Sequence, residues 1–151
     1  MLDRIDLPDL TTFSQPGWND ARHLSAAFVS ILTANNEESS LNAYHHLLYA
    51  VGNDHAGTYY SVALGILPII ERIPRDGSPW LQHTVLEVLI ELYGSFKPEP
   101  GQELYRGAPL EKLLKQGISD LAPLASAIEN DGKVAAKGAR ELLELIHDQS
   151  R

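Results

Sequence analysis

Three consecutive helices between Ser40 and Phe96 constrain the fold of this chain more than any other feature. The third of them has the clearest start: Ser78 supplies a capping hydroxyl and Pro79 falls at the first helical position. The helix runs to about Tyr93. Leu81, Val85, Val88, Leu89 and Leu92 line one face, and Leu86, Ile90 and Tyr93 line a second. A helix that is apolar on two faces must lie between neighbours. The helix from Ser39 or Ser40 to Val51 places Leu41, Tyr44, Leu47, Leu48 and Val51 inward. Between these two, about Thr58 to Ile73, Val62, Ile66, Ile69, Ile70 and Ile73 share a face. Pro68 falls inside that segment, which predicts a kink or a break, because proline removes one backbone hydrogen bond.

The flanks are less regular. Residues 1–18, with Pro8 and Pro16, read as a loose leader ahead of a single domain spanning 19–151. A first helix is expected from about Asn19 to Thr33. After the long irregular stretch from Gly94 to Gly107, a fifth begins at Leu110, with Gly117 a candidate interruption before Leu121, Leu124 and Ile128. A last helix carries Val134, Ala135, Ala139, Leu142, Leu143 and Ile146 and ends near His147. No segment sustains the alternation of a strand. The expected fold is therefore all-α, about six helices in a short α-solenoid of antiparallel pairs. Leu47, Leu48, Val62, Ile66, Ile69, Val85, Val88, Leu89, Leu121 and Leu142 are its expected core.

Charge narrows the partners. The net charge is -8, and no Lys or Arg lies between Arg22 and Arg72, although Glu37, Glu38, Asp54 and Glu71 do. Phosphate binding needs a basic face, so nucleic acid is not an expected partner. The chain has no cysteine, which removes thiol nucleophiles and thiolate metal sites. Asp3, Asp6 and Asp9 are the opposite of a signal-peptide n-region, and no apolar run approaches a membrane span, so a soluble cytoplasmic protein is expected.

No catalytic signature is present. Six histidines raise the question of a metal, but adjacent His45 and His46 point about 100° apart on a helix. His83 and Glu87 offer two ligands where a site needs a third. Glu87 and Glu91, one turn apart, read as a solvated face rather than an acid–base pair. Neither a Gly-x-Ser-x-Gly elbow nor a Gly-rich phosphate loop occurs. No cofactor, no metal and no catalytic residue are expected.

The segment from Lys133 to Leu143, rich in alanine and glycine, resembles the second helix of a HEAT repeat. Helix starts near Ser40, Ser78 and Ile118 recur at 38 and about 40 residues, near the ~40 to 47 of HEAT and armadillo units. Asn53-Asp54-His55-Ala56-Gly57-Thr58-Tyr59-Tyr60, followed by Ala63 and Leu67-Pro68, is similar to a pattern in bacterial HEAT-like proteins found among polymorphic-toxin immunity proteins. The resemblance implies a non-enzymatic binding module, an immunity protein that neutralises a basic toxin domain. A HEAT-like scaffold for another protein and a small helical metal-dependent enzyme are the alternative classes. Turns at one end of a helical stack line up, so the turn at Asn53–Thr58 and the loop after Tyr93 are expected on one edge. Asp54, His55, Phe96, Glu99, Glu103 and Tyr105 are the expected partner-binding residues, carboxylates around two aromatic anchors.

Overall fold

The computed structural model describes residues 8–73 and 78–149. Seven helices dominate: α1 (Ala21–Leu32), α2 (Glu37–Val51), α3 (Val62–Arg72), α4 (Pro79–Gly94), α5 (Leu110–Ser119), α6 (Ala122–Asp131) and α7 (Ala136–Gln149). Five two-residue strands join them: β1 (Gly52–Asn53), β2 (Thr58–Tyr59), β3 (Lys97–Pro98), β4 (Leu104–Tyr105) and β5 (Ala108–Pro109). The fold is all-α. The seventh helix arises because 110–131 forms two helices, α5 running through Gly117 and ending ahead of Pro123.

Local chemistry sets the ends. Asp20 caps α1, its carboxylate accepting from the amides of Arg22 and His23 at 2.9 Å, and those two bonds hold its pKa down. α2 is capped by Asn36, three or four residues earlier than Ser39 or Ser40. The Asn36 side chain accepts from the Ser39 amide at 2.8 Å while the Ser39 hydroxyl accepts from the Asn36 amide at 3.1 Å. This reciprocal box frees Ser40 to turn inward, where its hydroxyl meets that of Thr84 at 2.6 Å in the core. Ser78 caps α4 as expected.

Helix α3 starts four residues after the expected Thr58. Thr58 and Tyr59 are strand instead, paired antiparallel with β1 (Gly52↔Tyr59, Asn53↔Thr58) and parallel with β3 (Thr58↔Lys97, Tyr59↔Pro98). Gly57, at φ 72, makes the reversal that aims β2 back along β1. Pro68 does not break α3: it sits exposed, and its missing N–H costs only the bond to the Leu64 carbonyl.

α1 packs on α2, α2 on α4, α4 on α7 and α7 on α6, while α3 packs on α5. α4 also touches α1 and α5, which makes it the central helix that its two apolar faces required. All ten expected core residues are buried. Leu41 is the exception to the inward reading of α2, at 54% exposed.

Residues 1–7 lie outside the described part, but from Leu10 onward the leader is docked. Leu10 and Pro16 are buried, the Ser14 amide donates to the Ser61 hydroxyl at 2.7 Å, and the Val62 amide donates to the Ser14 carbonyl at 3.0 Å. The Trp18 indole donates to the Tyr49 carbonyl at 2.8 Å, and Asn19 donates to that of Ala50 at 2.6 Å. The strap closes on Gly65, where a Cβ would sit 2.8 Å from Leu10 and from Phe13. Gly65→Val is therefore expected to lift the strap, costing about 1–3 kcal/mol. Chymotrypsin should then cut at Phe13 and Trp18 before the helical body; unchanged resistance would show that the strap packs elsewhere.

Candidate functional site

The two loops expected on one edge are joined by hydrogen bonds. The Lys97 amide donates to the Gly57 carbonyl at 3.0 Å, and the Glu99 amide donates to that of Tyr59 at 2.8 Å. The Thr58 hydroxyl donates to the Glu99 carboxylate. Few of the six named residues are presented to solvent, however. Phe96 is buried under Gly57, a core residue rather than an anchor for a partner. Asp54 bonds His45 at 2.6 Å and is thereby tied back to α2. Tyr105 stacks on Phe13 at 5.4 Å, and the Arg106 guanidinium lies over its ring at 5.2 Å. Glu103 accepts from the Gly101 amide at 3.0 Å, which lowers its pKa, and Glu103 and His55 are exposed. The edge is chiefly a joint that fastens two loops to each other.

A different surface collects unspent chemistry. α2 and α4 lie side by side, and neither contains a Lys or Arg. Between them runs a groove of about 340 Å³ lined by Glu37, Ser40, Leu41, Tyr44, His83 and Glu87. The Tyr44 hydroxyl donates to the Glu91 carboxylate at 2.9 Å; burial first, then that bond, pushes its pKa well up. His83 turns its ring edge-on to Trp80, and its Nδ1 is buried with no hydrogen-bond partner. Gly138 of α7 closes one side, where a Cβ would come within 3.4 Å of the Glu87 carboxylate.

Burial raises the pKa of Glu87. His83 and Lys137 oppose that shift, and Glu141 and Glu91 add to it. A carboxyl group whose folded pKa lies above its unfolded value favours folding below about 4.5 and loses that contribution as pH rises through the folded value. At neutral pH the ionised Glu87 is thus a net cost. Glu87→Gln should raise the melting temperature slightly at pH 7, with the gain vanishing near pH 4. A variant that melts lower at pH 7 would mean that the charge is compensated in the free protein.

The remaining histidines are held separately. His46 bonds Ser30 at 3.0 Å and lies against His23, and burial followed by the His23 charge lowers its pKa. Among the described residues, no three His, Asp or Glu side chains gather into a group able to hold a metal ion. The same residues contain no helix long and apolar enough to cross a membrane.

In the sequence, Glu87 and Glu91 read as a solvated face and His83 with Glu87 as an incomplete ligand pair, while Leu41 and Tyr44 are placed inward. The signal that finds their groove is the absence of basic residues from two helices that touch. No protein-family profile, no curated protein and no solved structure matches the chain.

Proposed function

We propose that this protein is a non-enzymatic binding module for a basic protein partner, acting in the cytoplasm and docking that partner on the α2–α4 face. The observation that carries this reading is the pairing of two adjacent helices that hold Glu37, Glu38, Glu87 and Glu91 and no Lys or Arg. With a net charge of -8, the molecule steers a basic protein toward it and repels phosphate backbones. The exposed Leu41 and the Tyr44 ring supply apolar and aromatic contact amid those carboxylates. The HEAT-like resemblance gives the reading its specific form, an immunity protein that neutralises a toxin domain. The row α2–α4–α7, in which helices further along the chain stack on one another, agrees with a layered stack of helix pairs.

The test is association with the product of the adjacent gene, followed as a function of ionic strength. The expected result is an association rate that falls about tenfold or more as salt shortens the reach of the charges. A salt-independent rate would favour an apolar adaptor contact instead.

A further inference from the structure

The α2–α4 groove is a surplus of acceptors. Ser40 spends its hydroxyl hydrogen bond on Thr84, and Tyr44 spends its proton on Glu91. What faces the groove unspent is the Glu87 carboxylate, the Glu37 carboxylate and the remaining lone pair of the Tyr44 oxygen. Lys137, whose charge acts on Glu87, is 84% exposed and lies 4.0 Å from Glu141 on its own helix. Such a lining calls for a donor of positive charge. A divalent ion is a poor fit, since no three ligands gather here among the described residues. A guanidinium is best matched by a carboxylate that offers both oxygens to its fork. Here the acceptors are spread over two helices, Glu37 and Tyr44 on α2 and Glu87 on α4, which suits the three divergent donors of a compact ammonium better than one planar fork. Leu41, more than half exposed at the groove, supplies the apolar bed that a methylene stem uses.

We propose that this groove receives a lysine side chain of the partner, its stem on Leu41 and its ammonium against Glu87, Glu37 and Tyr44. The assignment rests on the reading of the protein as a module for a basic partner. It also gives the burial of Glu87 a use, because an arriving cation offsets the cost of holding that carboxylate ionised.

Backbone amide shifts of the intact protein, titrated with the capped peptide acetyl-Ala-Lys-Ala-amide, test this directly. Saturable shifts are expected at residues 37–44 and 83–91. Acetylation of the lysine, Glu87→Gln or Tyr44→Phe should each weaken binding, the first two by about tenfold or more. Glu71→Gln, the same charge loss at an exposed position on α3, should leave binding unchanged. Equal weakening by Glu71→Gln and Glu87→Gln would overturn the groove while leaving a basic partner in place. Tighter binding of the matching arginine peptide would overturn the choice of lysine. Absence of any lysine-peptide shift, with salt-dependent binding of the whole partner intact, would overturn the assignment alone. Failure of the whole partner to bind would defeat the parent reading.

Discussion

A Val88→Asp variant is expected to fail to fold. Val88 lies at the middle of α4 and is fully buried, on a helix contacted by α1, α2, α5 and α7. An ionised carboxylate there has neither a partner nor a path to water, and the only relief is protonation or unfolding. Lost packing and the buried polar group together cost about 4 kcal/mol or more. That is a large share of the ~5–15 kcal/mol by which a domain of this size is stable. Circular dichroism should show lost helix or a melting transition far below that of the wild type. A soluble, helical Val88→Asp protein with an unchanged transition would mean that α4 is open on one side and that the layered packing is misassigned.

The second large effect is expected at Gly52. A Cβ built there falls 1.9 Å from the Thr58 carbonyl oxygen and 2.6 Å from the Tyr59 Cα. These are backbone atoms in the paired strand and cannot rotate away. The conformation is ordinary extended backbone, so the constraint is close approach rather than φ. Gly52→Val should therefore separate β1 from β2 and cost about 3 kcal/mol or more. The damage should be local first: the Tyr60 amide, now bonded to the Val51 carbonyl at 2.8 Å, should exchange rapidly while amides in α4 and α7 remain protected. Uniform protection with an unchanged melting point would contradict the pairing of β1 with β2.

What the sequence made legible follows from the strength of each local signal. α4 is readable because Ser78-Pro79 and eight apolar positions on two faces repeat one message, and the ten expected core residues are buried for the same reason. The start of α2 was misplaced because Asn36 and Ser39 form a capping box, and in the sequence the serines advertise the same function more loudly. The turn from Gly52 to Tyr59 hid its strands because two-residue ladders are too short to show alternation. Their pairing depends on Lys97 and Pro98, some forty residues away.

The candidate site was less legible. The juxtaposition of the 53–58 turn with the loop after Tyr93 followed from repeat spacing and is present. Whether a residue on that edge faces solvent depends on contacts with distant segments, as Phe96 under Gly57 and Tyr105 on Phe13 illustrate. The docking of residues 10–18 had no periodic signal at all; it rests on single hydrogen bonds and on Gly65. Leu41 reads as core because it shares a face with Leu48, yet it stands exposed at the α2–α4 groove.

The most direct measurement of the central claim is amide hydrogen exchange of the protein in complex with the adjacent gene product. Recognition through the α2–α4 face predicts new protection concentrated at residues 37–44 and 83–91, with the 53–58 turn and the 96–105 loop exchanging as in the free protein. Protection centred on that turn and loop, with 37–44 and 83–91 unchanged, would contradict it.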